Sequence, residues 1–165
     1  MSSADKIFYS VETNVFLDWQ ARYYPTDIFL ALQNSVSLLV KEKRFYSPKL
    51  VEEELKFVSV TTSELLAWVK NQSGLFIPLK ELAAEALNIQ SRFPGLLDPK
   101  AEHEEADAYV IALAKMRNGT VVTQETSASE KRNPPRSHYI PDVCRELGIP
   151  CFNFLGLMRR EKWKF

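Results

Sequence analysis

The sequence predicts an α/β fold of three layers, in which a parallel sheet of about five strands lies between layers of helices. Short segments rich in β-branched and aromatic residues alternate with longer segments whose apolar residues recur at helical spacing. Strands that are separated by helices run parallel through right-handed crossovers. The chain has 165 residues, which is enough for one sizeable core, so we predict a single domain over residues 1–165.

The clearest local pattern lies in residues 106–125. Apolar residues between 106 and 114 repeat with a period near 3.6, which predicts a helix, and residues 120–123 have the β-branched, apolar pattern of a buried strand. Gly119 is predicted to end the helix in the left-handed conformation. Sites of parallel sheets lie at the carboxyl ends of the strands, which places Thr123 and Glu125 at that edge and Asp107 near it.

The rest of the chain divides into strands and helices by the same criteria. The predicted strands are residues 6–12, 45–47, 75–77, 120–123 and 151–154. The first strand ends on Glu12, after which Thr13 and Asn14 are good helix caps. Other helices are predicted to start at Pro25, after the cap Ser47, after Thr61 or Thr62, at residue 79, at Pro141 and at residue 155.

Composition and charge exclude several classes of protein. Hydrophobic residues make up 45% of the chain and charged residues 25%, and Lys+Arg and Asp+Glu balance at 21 each. The total charge therefore does not favour nucleic-acid binding, and any basic surface must be local. No apolar run reaches the ~18 residues of a membrane span, and residues 1–6 lack a secretion signal, so we expect no membrane segment and a cytoplasmic location. Cys144 and Cys151 are expected to be buried thiols, with a redox pair or disulfide as the alternative.

Four carboxylates occupy comparable places in the predicted fold. Glu12 and Glu125 follow strands, Asp107 begins the central helix, and Glu54 lies inside the helix after the second strand. If the strand ends converge, these side chains share a cleft in which they raise one another's pKa. A hard divalent cation such as Mg²⁺ relieves that repulsion and, once bound, supports displacement at phosphorus. The alternative is that each acid is a solvated surface charge or a helix-start residue.

Four short motifs resemble the acidic motifs of PIN domains, in the same order: residues 11–16, 51–55, 106–108 and 121–125. Residues 140–144 and 148–151 are similar to the closing part of an uncharacterised prokaryotic PIN subfamily, DUF4411. The resemblance implies a sheet ordered 3-2-1-4-5 and cleavage of RNA that depends on Mg²⁺ or Mn²⁺. It also implies kinship with the VapC toxins of toxin–antitoxin modules, and hence a cognate antitoxin and a homodimer as partners.

The resemblance assigns roles position by position. The four family acids, all expected to be catalytic, correspond to Glu12, Glu54, Asp107 and Glu125. The expected metal ligands are Glu12, Asp107 and Glu125. Asn14 and Thr123 match polar residues that support the metal site. Glu53 becomes the second acid if its helix is rotated by one residue.

Glu12 departs from the family pattern, in which the first acid is Asp. The extra methylene moves the carboxylate by about a bond length, and ~1 Å of misplacement can cost about 100-fold in rate. Mg²⁺ also demands near-ideal octahedral geometry. Two explanations stay open: a natural variant with an adjusted pocket, and an attenuated form made so that a toxic protein could be produced. In both cases we expect weak activity relative to a Glu12→Asp variant.

A phosphodiester substrate needs cations beside the acids. The candidates for RNA binding are Lys131, Arg132 and Arg136, because their long polar loop, residues 126–138, directly follows Glu125. Arg22 is a second choice, and a solvated loop without a ligand role is the alternative.

Two functions follow from these patterns. The first is an endoribonuclease dependent on Mg²⁺ or Mn²⁺, the toxin of a prokaryotic type II toxin–antitoxin module. The second is a catalytically weak or inactive PIN-fold module that acts by binding RNA or protein. A nucleotide-binding domain of the signalling type is disfavoured because no glycine-rich phosphate loop follows any predicted strand.

Overall fold

The computed structural model of this protein describes residues 6–165. The strands are β1 (Tyr9–Val11), β2 (Phe45–Pro48), β3 (Phe76–Ile77), β4 (Thr120–Val122) and β5 (Cys151–Phe152). The α-helices are α1 (Thr13–Phe16), α2 (Leu30–Lys41), α3 (Lys49–Phe57), α4 (Ser63–Lys70), α5 (Leu79–Arg92), α6 (Asp107–Met116), α7 (Ile140–Leu147) and α8 (Phe154–Arg160). Residues 1–5, which belong to the segment predicted to lack a secretion signal, lie outside the described residues.

The five strands form one parallel sheet in the order β3-β2-β1-β4-β5. Helices flank this sheet, so the predicted three-layer α/β/α fold and its strand order 3-2-1-4-5 are confirmed. The central strand β1 pairs with β2 on one side and with β4 on the other, and Val11 is the register partner of Val122. The residues that follow β1 and β4 therefore leave the sheet side by side, at the edge where α/β proteins place their sites.

Helix α6 is anchored deep in the core. Its residues from Ala108 to Ala114 are all buried, and it contacts α5, β1, β2 and β4. The hydroxyl of Ser10 in β1 donates a hydrogen bond of 2.6 Å to the carbonyl of Val110. Burial of this apolar surface is the main term that stabilises the helix. The first residue of α6, Asp107, is consequently held at a fixed place beside β1.

The N-terminal helical region differs from its prediction. Residues Leu17–Tyr23 form a π-helix that continues α1, and α2 begins at Leu30 rather than at Pro25. The carbonyl of Pro25 accepts hydrogen bonds from the N–H groups of Ile28 (3.1 Å) and Phe29 (2.8 Å), which close a turn instead of starting the helix. The predicted helix was too long because the apolar residues continue at helical spacing through the turn that precedes α2.

Three further boundaries are decided by capping. Ser47 lies within β2 instead of capping the next helix, and Pro48 is the N-cap of α3. The hydroxyl of Thr62 accepts the N–H of Leu65 at 3.1 Å, so Thr62 rather than Thr61 caps α4. The last strand stops at residue 152, because the side chain of Asn153 caps α8.

The prediction that Gly119 adopts the left-handed conformation is wrong. Asn118 does so instead, with φ 53°, and Asn tolerates this region better than most residues. Gly119 is needed because the chain passes close to Phe8. A Cβ at residue 119 would lie 2.7 Å from the Phe8 carbonyl oxygen and 2.6 Å from Cδ1 of its ring. That carbonyl also accepts the N–H of Thr120 at 2.8 Å, where β4 begins.

We expect Gly119→Ala to lower the free energy of unfolding by about 1–3 kcal/mol, the usual cost of overpacking, because the new methyl group meets backbone that cannot rotate away. Urea unfolding followed by circular dichroism measures this. Gly74→Ala is the control, since Gly74 has φ 75° and open space around its Cβ position. It should show only left-handed strain, about 1–2 kcal/mol. An unchanged stability of Gly119→Ala would contradict the packing argument.

Two further predictions concern membrane-spanning segments and the state of the two cysteines. Over residues 6–165, none of the helices combines the length and apolar character needed to cross a membrane. Cys144 and Cys151 are free thiols, and Cys144 is buried. The hydrogen-bond contact with Cys151 and burial raise the pKa of the Cys144 thiol far above its usual range. Cys144 is therefore un-ionised and a poor nucleophile.

Candidate functional site

A polar cleft of about 410 Å³ lies beyond the ends of β1 and β4, and we refer to it as the acidic cleft. Six of the predicted site residues line it: Glu12, Asn14, Glu54, Asp107, Glu125 and Arg136. Arg22, the second choice for a substrate contact, also lines the cleft. The other lining residues are Thr13, Leu17, Phe57, Val58, His103 and Glu105. The fold therefore brings the four predicted acids to one place, although they are scattered over 114 residues of sequence (125 − 12 + 1).

Glu12 is the residue after β1, and its side chain bridges two strand ends. Its Oε2 accepts the backbone N–H of Asn14 at 2.9 Å, which caps α1, and its Oε1 accepts the backbone N–H of Gln124 at 3.0 Å. Glu12 is only 3% exposed. The side-chain Nδ2 of Asn14 also donates to Oε2 at 3.5 Å. Because a carboxylate oxygen has two lone-pair sites, Oε1 is the oxygen that keeps a further site for a ligand.

Glu54 holds the start of α6 in position. Its Oε1 accepts the backbone N–H of Ala106 at 2.8 Å, and its Oε2 accepts the hydroxyl of Thr13. These two contacts connect α3 with the residue before Asp107 and with α1. The neighbouring Glu53 is exposed and lines an adjoining, mostly apolar pocket. The structure thus places Glu54, and not its alternative Glu53, at the acidic cleft.

Glu125 is oriented by the turn that follows β4. Its backbone N–H donates to the hydroxyl of Thr123 at 3.0 Å, and its Oε2 accepts the N–H of Ile140, the first residue of α7, at 3.1 Å. Thr123 is 2% exposed. Its hydroxyl therefore supports the site by shaping the turn that carries Glu125.

Arg136 provides the counter-charge in the acidic cleft. Its Nη1 lies 3.1 Å from Oδ2 of Asp107 and 3.9 Å from Oε2 of Glu105, and its Nη2 lies 3.5 Å from Oε1 of Glu125. The side chain of Arg136 is 13% exposed. The sequence predicted this residue as an RNA contact, whereas the structure directs its guanidinium inward to the acids.

Burial and mutual repulsion raise the pKa values of the cleft carboxyl groups. Burial raises the pKa of Glu12 to about 7, although the N–H groups of Gln124 and Asn14 oppose the shift. Burial, and then the charges of Glu125 and Glu12, raise the pKa of Asp107 well above its usual range, while Arg136 lowers it. Burial also raises the pKa of Glu125. The raised pKa values of Asp107 and Glu12 report in part the repulsion between neighbouring carboxylates, which a bound cation would relieve.

The donor atoms suit a hard divalent cation. Glu12, Asp107 and Glu125 offer carboxylate oxygens and Asn14 an amide oxygen, the ligand type that Mg²⁺ and Mn²⁺ prefer. Within the described residues, no three His, Cys, Asp or Glu side chains already form a metal-binding group. Backbone N–H groups engage both oxygens of Glu12, and Arg136 bridges Asp107 and Glu125. A cation would thus compete with contacts that the protein already makes.

The three predicted RNA-binding cations are not grouped together. Arg136 lines the acidic cleft, but Lys131 and Arg132 do not. Lys131 Nζ donates to the hydroxyl of Thr126 at 3.1 Å and lies 4.5 Å from the ring centroid of Tyr139. Arg132 is exposed. The position of these cations in the loop after Glu125 therefore predicted proximity to the acids correctly for Arg136 alone.

Sequence reasoning did not assign Phe57, His103 or Glu105 to the cleft, although all three line it. Phe57 is 85% exposed at the end of α3. Glu105 lies two residues before Asp107, and this proximity was the one available signal. His103 lies four residues before Asp107 and is itself exposed. Nothing in the spacing of Phe57 distinguishes it from an ordinary surface residue.

Fold and cleft together define the class of this molecule: a parallel α/β protein with an acidic cleft at the carboxyl edge of its sheet. The sequence model of DUF4411, described as a domain of unknown function, matches residues 9–165, and the chain belongs to this family. No curated protein matches the chain.

Proposed function

We propose that this protein is a PIN-type endoribonuclease that depends on Mg²⁺ or Mn²⁺ and cleaves RNA phosphodiester bonds. The observation that carries the proposal is the convergence of Glu12, Asp107 and Glu125 in one cleft at the edge of the sheet. The strand order β3-β2-β1-β4-β5 supports it as well, because the resemblance to PIN domains implies that order. The oxygen-rich donor set fits the cation that such chemistry needs, and so does the repulsion from Glu125 and Glu12 that helps to raise the pKa of Asp107.

The proposed roles follow from the contacts of each residue. Asp107, Glu125 and Glu12 hold the cation, and Asn14 supports them. Glu54 is a positioning residue, because its carboxylate fixes the N–H of Ala106. When bound, a divalent cation supplies a water of lowered pKa and offsets charge at phosphorus.

The pKa of Glu12 gives this proposal a pH dependence. Its value of about 7 means that Glu12 carries a proton below that pH and binds a cation poorly. Cleavage at limiting Mg²⁺ should therefore increase between pH 6 and pH 8.

The stability of the metal-free protein should change in the opposite direction and decrease as the pH rises. The raised pKa makes the folded state bind the proton more tightly, so the contribution of Glu12 to stability is present below its unfolded pKa and is lost as the pH rises through 7.

Cation-dependent cleavage of a synthetic RNA tests the proposal. Single-stranded RNA of mixed sequence, labelled with a fluorophore, would be incubated with the purified protein in Mg²⁺, Mn²⁺, Ca²⁺ or EDTA. We expect products with Mg²⁺ or Mn²⁺ and none with EDTA. Cleavage that persists in EDTA, or no cleavage at millimolar Mn²⁺ at pH 8, would refute the metal-dependent nuclease.

We also propose that the protein acts as the toxin of a prokaryotic type II toxin–antitoxin module in the cytoplasm, as a homodimer that a cognate antitoxin silences. The support is the same PIN-type cleft together with the toxin resemblance. Induced expression in a bacterial host should arrest growth, and co-expression of the open reading frame beside its own gene should restore it. Unimpaired growth, while the purified protein cleaves RNA, would remove the toxin assignment and leave the nuclease.

A second candidate is a weak or inactive PIN-fold module that acts by binding RNA or protein. The contacts of Glu12 favour it, since both oxygens already accept backbone N–H groups. So does the pairing of Arg136 with Asp107 and Glu125. RNA binding in a gel-shift assay without cleavage in any divalent cation would identify this second function.

Glu12→Asp is expected to raise the rate of cleavage at saturating Mg²⁺, by up to about 100-fold if a misplacement of ~1 Å is corrected. The shorter side chain can still cap α1 at Asn14, because Asp is a good N-cap. It loses reach to the N–H of Gln124, which should cost about 1 kcal/mol of stability. Initial rates and thermal unfolding measure the two effects.

The control for Glu12→Asp is Glu64→Asp, which shortens a carboxylate in the first turn of α4 that is not among the residues lining the cleft. It should leave the rate unchanged. Equal rates for Glu12→Asp and the wild type would refute the misplacement argument.

A further inference from the structure

Arg136 contacts two of the acids that are expected to hold a cation, Asp107 and Glu125. Its guanidinium reaches Oδ2 of Asp107 at 3.1 Å and Oε1 of Glu125 at 3.5 Å. The planar fork of Arg matches pairs of carboxylate oxygens, and these contacts are charge-assisted. Arg136 is thus the positive charge that contacts Asp107 and Glu125 directly.

Arg136 contacts the same oxygen of Glu125 that a divalent cation would be expected to use. Oε2 of Glu125 already accepts the N–H of Ile140 at 3.1 Å, so Oε1 is the oxygen of Glu125 that a cation would use more readily. Oε1 is also the oxygen that faces Nη2 of Arg136. Mg²⁺ binds oxygen at about 2.0–2.1 Å, and two cations held against the same partly buried carboxylates repel one another strongly.

Two further contacts hold Arg136 in place. Its Nη1 donates to the carbonyl of Leu96 at 2.9 Å. Its Cζ lies 4.4 Å from the ring centroid of Tyr139, a cation–π distance. Neither partner is an acid, so these two contacts do not depend on those that Arg136 makes with Asp107 and Glu125.

We propose that Arg136 is an internal competitor of the divalent cation, so that the cation binds Asp107 and Glu125 only when the guanidinium withdraws from them. This inference rests on the proposed function and adds a regulatory element to the same site. Arg136 keeps the affinity for the cation low and stabilises the cation-free fold. Withdrawal also releases a guanidinium at the cleft, where it can pair with a phosphate of the substrate.

Isothermal titration of Mn²⁺ into the metal-free protein tests the competition without reference to activity. Arg136→Gln should bind Mn²⁺ about tenfold more tightly than the wild type or better, which corresponds to about 1.4 kcal/mol. It should also unfold at a lower temperature without the cation and gain more from added Mn²⁺. Arg132→Gln is the matched control, because Arg132 is an exposed cation of the same loop. Its Mn²⁺ affinity should equal that of the wild type.

Arg136→Lys keeps the charge but cannot bridge two carboxylates in a fork. It should bind Mn²⁺ with an affinity between those of the wild type and Arg136→Gln, and it provides the comparison if Arg136→Gln folds poorly. Affinity that is unchanged or weaker in both variants, with clear binding by the wild type, overturns the competition and leaves the nuclease intact. Absence of Mn²⁺ binding in the wild type and in both variants overturns the competition and the metal-dependent function together.

Discussion

Asp107→Asn is expected to reduce cation-dependent RNA cleavage by roughly 10²–10³-fold, because a bound cation contributes several kcal/mol to transition-state stabilisation. Asn has nearly the same size, and its carbonyl oxygen can still accept a hydrogen bond from Arg136. It lacks the negative charge that attracts the cation. Because burial and the neighbouring acids raise the pKa of Asp107, a neutral side chain is well tolerated there, and the variant should remain folded.

Initial rates on the labelled RNA across a Mg²⁺ series measure the effect of Asp107→Asn. Circular dichroism and the unfolding temperature establish that the fold is retained. Asp27→Asn is the matched control, since Asp27 is exposed and lines a different pocket. If Asp107→Asn and Asp27→Asn cleave at the same rate, the acidic cleft is not the catalytic centre.

Glu54→Ala should lower both stability and cleavage. The variant leaves the backbone N–H of Ala106 without its acceptor in a buried place, which costs roughly 1–3 kcal/mol. It also frees the start of α6, and a displacement of Asp107 by ~1 Å is enough to lower the rate by about 100-fold. The loss of activity therefore arises from positioning and not from the loss of a metal ligand.

Two further variants separate positioning from charge at this residue. Glu54→Gln can keep the bond to Ala106, and since burial raises the pKa of Glu54, an uncharged side chain should be at least as stable there at pH 8. We expect it to retain most of the cleavage activity. Glu53→Ala removes the exposed neighbour and should match the wild type. Activity lost equally in Glu54→Gln and Glu54→Ala would instead make the charge of Glu54 essential.

The architecture could be predicted because it depends on patterns that are local in sequence. The alternation of short β-branched segments with amphipathic helices predicted the parallel sheet, and the resemblance to PIN domains implied its strand order. Boundaries were less accurate. Pro25 starts a turn and Ser47 lies in a strand, because hydrogen-bond partners brought by the fold decide which residue caps a helix.

The placement of the acids was predictable for a related reason. Glu12 and Glu125 follow adjacent parallel strands, and the carboxyl ends of such strands meet at one edge. What each acid does there was not predictable. The backbone N–H groups of Gln124 and Ala106, far along the chain, donate hydrogen bonds to Glu12 and Glu54 respectively. Glu12 also caps α1 by accepting the N–H of Asn14.

The hydrophobic periodicity and the order of strands and helices can be recognised directly in the amino-acid sequence. The sequence alone therefore determines the three layers and the edge of the sheet at which the carboxylates lie. The net charge of the cleft is decided only when the loop after β4 folds back and inserts Arg136 between Asp107 and Glu125. Ion pairing depends on distances of a few ångström between side chains 29 and 11 residues apart (136 − 107 and 136 − 125). No spacing rule encodes such a contact, and tertiary packing alone establishes it.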